Sequence, residues 1–350
     1  IGYTTYAVIL IRAKANTPLN ENAPDTIFTL KSYLNREQYE SAPLLYGRTY
    51  ASEPEYVPEG DYYKVKTEKG SAIYRPDKKE GKYKIIRYKE DVCYTQNMLF
   101  PRMWNDRSAA SYKGWSGGGA NEAPTQKENL TYFITYQLNY MYWRYFLWNF
   151  VGRQSDIQPT RVTITDGNWL SGIKWIDELY LGPQDNLPDE IANNKGRNTY
   201  YFLPFILGLI GLIYQLNRDP RNFSIVMWLF IMTGIALVFY FNTSPGEPRE
   251  RDYVYAGSFY AFCIWIGFGV LAIRDLVAWL TRRNNVTAAV AATVVCMGVP
   301  TILAAQNWDD HDRSHRTMAR DIGWNYLQSV LPNLSLIHIS EPTRHSLISY

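Results

Sequence analysis

The stretch "NTSPGEPRERDY", residues 242–253, decides how this sequence is read. It packs Glu247, Arg249, Glu250, Arg251 and Asp252 into a short hinge between two runs, 222–241 and 254–273, that carry no charge at all. About 20 apolar residues cross roughly 30 Å of hydrocarbon. Runs of this length on both sides therefore make the hinge a surface loop between two membrane spans.

Outward from the hinge, the charge-poor runs are 199–217, 222–242, 253–273 and 284–308, which predicts four transmembrane helices within 199–308. A fifth apolar piece, "GYTTYAVILI", makes 1–11 read as the end of a span whose beginning lies upstream. Whole-chain averages hide this pattern: the 350 residues have a mean hydropathy of −0.30, 20% charged residues and a net charge of +3. Residues 12–129, rich in Lys, Glu, Asn and Pro, dilute the apolar half. The expected fold class is mainly α, a polytopic bundle of transmembrane helices with an α+β insertion outside the membrane. Cys93, Cys263 and Cys296 are scattered, two of them inside predicted spans, so neither a disulfide framework nor a cysteine metal site is indicated.

Short loops rich in Lys and Arg stay on the cytoplasmic side. Arg218 and Arg221 in one loop, and Arg274, Arg282 and Arg283 in the other, place 217–222 and 274–285 in the cytoplasm. Loops 12–198, 242–252 and 309 onward then share the extracytoplasmic face. That parity excludes a span at 130–152, "LTYFITYQLNYMYWRYFLWNFVG", which would split 12–129 from 153–198. Its Tyr and Trp content, with Arg144 at the centre, suits a helix in the headgroup layer. Residues 168–182, "NWLSGIKWIDELYLG", read as a short amphipathic helix against the same surface, closing the 130–198 block. Within 12–129, residues 63–91 alternate charged residues with Tyr, Ile and Val in short strands, and "SGGGANEAP" at 116–124 reads as a linker.

The hinge charges have a simple account, pairing among themselves in solvent. Pro245, Gly246 and Pro248 argue for more, since they stiffen the approach to Tyr253, where the next span starts. Arg249 and Arg251 carry planar forks that suit a lipid phosphate, with Glu247, Glu250 and Asp252 to orient them. A second constellation, Asp309, Asp310, His311, Asp312, Arg313 and His315, follows the last span on the same face, at the start of a 309–333 segment. Its acids also suit a helix start, so substrate contact is expected there and a divalent metal is not. Arg144, Asn149 and Arg153 form a third candidate wall, ranked below the hinge because Arg commonly snorkels to phosphates. From 334 to 350, "LSLIHISEPTRHSLISY" resembles a translated sequencing adaptor, so His338 and His345 carry no weight.

Four segments now carry a resemblance: "NTSPGEPRERDYVYAGSFYAFCIWIGFG" (242–269), "QLNYMYWRYFLWNFVGRQ" (137–154), "NAPDTIFTLKSYLNREQY" (22–39) and "NWDDHDRSHRTMARD" (307–321). Together they resemble a family of bacterial polytopic membrane proteins long filed as a domain of unknown function. That family is related to membrane protein O-mannosyltransferases. The hinge departs from it, reading "SPGEP" where a "TPNQP"-like approach is expected.

The resemblance implies a GT-C type fold in a bacterial inner membrane, a lipid-phosphate-linked sugar as donor and a Ser or Thr hydroxyl of an exported protein as acceptor. No other cofactor is implied, and no nucleic-acid partner. It also implies a catalytic carboxylate in a first outer loop upstream of this chain, so the chain alone is expected to be inactive. Arg249 and Arg251 are the candidates for the donor phosphate, an assignment that rests on their chemistry. A transporter is disfavoured because the four runs lack ionisable residues. A scaffold or assembly protein is the alternative.

Overall fold

The apolar runs fold as helices. In the computed structural model, residues 4–329 are described except for 16, 18–19, 21, 36, 38–41, 78–80, 120–121, 158–162, 247–250 and 283–284. Among the described residues, three helices are long and apolar enough to cross a membrane: Pro220–Phe241, Asp252–Thr281 and Val286–His311. The run expected to give a complete span over 199–217 forms the 16-residue helix Leu203–Arg218 instead. At 1.5 Å per residue it is about 24 Å long, short of the roughly 30 Å of hydrocarbon. The shortening begins at Tyr201 and Phe202, whose left-handed backbone (φ 53° and 60°) holds off the helix until Leu203. Three helices of spanning length and one shorter apolar helix thus replace the four expected spans.

The short helix lies on Ala256–Thr281 with the two backbones nearly touching. A Cβ at Gly211 would collide with the Trp265 carbonyl and the Gly269 amide, so only glycine permits this approach. One turn away, the Trp265 indole donates to Gln215 at 2.8 Å in the interior. Helix Pro220–Phe241 breaks into Pro220–Met232 and Ile235–Phe241 around Gly234. Two hydroxyls, Tyr142 and Ser258, meet there at 2.7 Å, and Ser258 donates to the freed Phe230 carbonyl at 2.9 Å. A side chain at 234 would displace both, so the break is hydrogen-bonded where no water reaches it.

At one end of the bundle Asp275 gathers Arg218 (3.1 Å), Arg274 (2.6 Å) and the Tyr214 hydroxyl (2.8 Å), which ties the end of Leu203–Arg218 to Ala256–Thr281. At the other end sit Tyr200, residues 242–246 and 251–252, and the close of the last helix. The outer residues dock there too, because Tyr132 donates to the Thr243 carbonyl at 2.8 Å.

The outer region holds small antiparallel pairs: Tyr46–Gly47 with Met98–Leu99, Tyr56–Glu59 with Tyr62–Val65, and the long hairpin Thr67–Asp77 with Lys82–Val92. Helix Ile27–Leu34 starts at a Thr26–Thr29 capping box and stacks Phe28 on Tyr74 of that hairpin.

The residues 126–150 form one continuous helix, opened by the Thr125–Glu128 capping box. It is π-wound over Phe133–Trp143 and α-helical either side. Its aromatic rings, which suggested a headgroup-layer helix, are largely enclosed by protein. Tyr132 and Tyr136 pack with Met103 and Tyr112 on the outer side, while Tyr142, Phe146 and Phe150 pack with Phe230, Phe262 and Trp265 of the apolar bundle. The helix is therefore the wall on which both halves of the molecule are built. The expected amphipathic element over 168–182 forms helix Lys174–Leu181.

Candidate functional site

The approach to the hinge is held by the outer region, almost group by group. Asn242, fully enclosed and left-handed at φ 43°, donates its amide to the carbonyls of Pro43 (2.9 Å) and Pro101 (2.8 Å) and accepts from Gln137 at 3.0 Å. Its own carbonyl accepts from the Trp104 indole at 3.1 Å. Thr243 accepts from Tyr132 and Gln137, Ser244 from Asn105, and Pro245 from Ser108. Asn is among the few residues besides glycine that tolerate a left-handed turn, and here its side chain also ties the segment to Pro43, Pro101 and Gln137.

Beside this clamp, Arg102 is 1% exposed and donates to the Phe239 carbonyl at 2.9 Å and the Leu44 carbonyl at 2.7 Å. Its guanidinium lies 3.9 Å from the centre of the Phe100 ring. Burial pulls it down to about 10.

Past the clamp, segments distant in sequence converge. A cleft of about 520 Å³ is lined by Asn149 from the end of the aromatic helix, Arg153 from the short strand Gly152–Arg153 that follows it, Asp252 from the hinge, and Asn307 and His311 from the last helix. Tyr145, Trp148, Tyr200 and Trp308 give it aromatic walls. Arg153 meets Asp310 at 2.5 Å, with both side chains mostly covered (17% and 14% exposed). Arg153 also donates to the Gly196 carbonyl at 3.0 Å. Asn307 donates to the Tyr200 hydroxyl at 2.7 Å, and the exposed His311 ring lies 3.0 Å from the Asn307 carbonyl.

Of the sequence-predicted site residues, Arg153, Asn149, Asp252 and His311 line this cleft, and Asp310 pairs with Arg153. Arg251 and Tyr253 are exposed on either side of Asp252. Glu247, Arg249 and Glu250 lie outside the described residues. Arg144 is not brought to the cleft. It is buried, donates to the carbonyls of Tyr140 and Gly167 at 2.9 Å each, and sits over the Tyr140 ring. Asp309, Asp312, Arg313 and His315 are exposed and do not line the cleft. Among the described residues, no three of His, Cys, Asp and Glu converge as a metal site.

Sequence reasoning missed Tyr200, Asn307, Trp148 and Trp308. The last two carried a signal, since Trp is common where apolar helices meet the membrane surface. It missed the clamp residues Asn242 and Arg102 entirely.

Comparison with known proteins adds one finding. A family model described as a family of unknown function (DUF8416) matches residues 40–134, the outer region through the start of the aromatic helix. No curated protein and no solved structure matches the chain. The matched segment contains Arg102, Trp104 and Tyr132 of the clamp and stops before every residue of the cleft.

Proposed function

We propose that the cleft receives the phosphate and sugar of a lipid-linked donor, and that the chain belongs to the working part of a membrane glycosyltransferase resembling protein O-mannosyltransferases. The observation that carries this reading is the convergence of residues 145–153, 252 and 303–311 on one cleft at the end of an apolar helical bundle. Indole faces suit the C–H face of a sugar ring, amides and carboxylates suit its hydroxyls, and the hinge arginines suit the phosphate. In this reading the cleft faces the extracytoplasmic side and the end marked by Arg218 and Arg274 faces the cytoplasm.

The transfer forms a bond from an acceptor Ser or Thr oxygen to the sugar's anomeric carbon and breaks the bond from that carbon to the lipid phosphate. The acceptor proton passes to a carboxylate base, and negative charge grows on the departing phosphate, where cationic forks stabilise it. Arg249 and Arg251 take that role, with Asp252 orienting Arg251. No residue of this chain is assigned as the base.

A scaffold is the second reading, favoured by the fact that Arg153 is already engaged by Asp310. Transfer from a polyprenyl-phosphate sugar by the full-length protein in membranes separates the two. Arg249→Ala together with Arg251→Ala is expected to lower turnover roughly 100-fold, the scale of losing a donor to a developing anion. Unchanged turnover overturns the donor role of the hinge, and absence of transfer from any such donor by the unaltered protein favours the scaffold.

A further inference from the structure

The helix Lys174–Leu181 exposes two large apolar side chains, Trp175 (68%) and Leu179 (78%), four residues apart on one face. The roll of the helix leaves them no other direction. Asp177 is buried on the opposite face, where its carboxylate accepts from the Ser171 amide (2.9 Å), the Ser171 hydroxyl (2.8 Å) and the Gly172 amide (2.8 Å). Leu181 is buried beside it.

The helix is also fixed in height along the bundle. Tyr180 stacks on Trp169 at 4.5 Å, Trp169 packs edge-on against Phe202, and the Tyr201 amide donates to the Ser171 carbonyl at 3.0 Å. Tyr201 and Phe202 are the residues from which Leu203–Arg218 departs. The exposed Trp175–Leu179 face is thus beside the start of Leu203–Arg218. Tyr201, just before that helix, and Leu203 and Ile206 in its first turn are exposed as well. Tyr253 and Trp308, at the same end of the bundle, add exposed rings of the kind that settle at a headgroup layer.

We propose that Lys174–Leu181 is a membrane-surface anchor, with Trp175 and Leu179 seated in the interfacial layer of the lipid bilayer beside the start of Leu203–Arg218. The occupant of this face is lipid, because the face lies beside the start of the apolar helix Leu203–Arg218, which packs in a bundle with helices long and apolar enough to cross a membrane. The anchor supplies what the short helix lacks, since a helix shorter than the hydrocarbon is completed by flanking groups at the interface. Attraction by charge has little part in it: the only cation on the helix, Lys174, pairs with Asp185. The proposal rests on the chain being a membrane protein and not on its being a transferase.

The test uses the full chain with Cys93, Cys263 and Cys296 changed to Ser, an environment-sensitive fluorophore on Leu179→Cys, and reconstitution into phosphatidylcholine vesicles. Leu179 is exposed, so the label disturbs no packing. The expected result is blue-shifted emission, strong quenching by lipid spin-labelled near the headgroup, weaker quenching by lipid labelled deep in the acyl chain, and loss of iodide quenching. The same label on Lys64→Cys, on the outer hairpin, serves as the aqueous reference. Iodide quenching equal to that reference overturns the proposal, and so does shielding from both iodide and lipid quenchers, which places protein over the face. None of these readings requires a sugar donor or turnover, so transferase failure leaves the test intact.

Discussion

The apolar bundle and the outer region are held together by opposite means. In the bundle, contact is made with small side chains and close backbones, as where Gly211 meets Trp265. The clamp around 242–245 has the reverse character: Asn242, Gln137, Arg102 and Tyr132 are buried polar groups whose hydrogen bonds run mostly to carbonyls. Lipid offers helices no hydrophobic drive toward one another, so packing decides there. A loop that must leave the bundle in one direction needs directional bonds instead.

That contrast can be broken most forcefully at Gly211. Gly211→Leu should push Leu203–Arg218 away from Ala256–Thr281, a loss beyond the 1–3 kcal/mol typical of overpacking because the obstacle is backbone. Cross-linking between cysteines introduced on the two helices measures it, and retained cross-linking would count against the close approach.

The next largest effect is expected from Asn242→Leu, which strips three buried hydrogen bonds at about 1 kcal/mol each, roughly 3 kcal/mol in all. The readouts are the melting temperature of the purified chain and trypsin cleavage at Arg251, and both should worsen together. An unchanged melting temperature would mean that the clamp does not hold the fold.

The smallest effect sharpens the comparison through pH. Lys113 and Glu128 pair at 2.8 Å with little exposure. Burial pushes the Glu128 carboxyl up, but Lys113 and Thr125 outweigh it and hold it below its ordinary 4.5. Burial likewise pulls Lys113 down, while Glu128 and Tyr50 raise it above its ordinary 10.5. The stabilisation is therefore complete between those two values. It is lost as pH falls through the depressed Glu128 value or rises through the elevated Lys113 value. Melting curves against pH for the unaltered chain and for Lys113→Met with Glu128→Leu should differ most within that window, and parallel curves would refute the coupling.

Much of this was legible beforehand. The apolar runs at 222–242, 253–273 and 284–308 announce helices because length and hydropathy are local properties. The run at 199–217 was read too long, since nothing in its composition marks Tyr201 and Phe202 as left-handed. The aromatic helix was expected, but not its burial, because rings suited to a headgroup layer suit a protein core equally well. Arg153, Asp252 and His311 were each singled out; that they share one cleft follows from chain topology, to which local pattern is blind. Arg102 looked like one of many outer-region cations, and only its carbonyl partners distinguish it.

The π-wound turns at Phe133–Trp143 have an effect of their own. Each carries more residues than an ordinary turn, as where Arg144 reaches back to the carbonyl of Asn139. This stretch is therefore a store of spare chain. Deleting one residue here can be absorbed by tightening the winding, whereas the same deletion in Ala256–Thr281 would rotate every following side chain onto a new face.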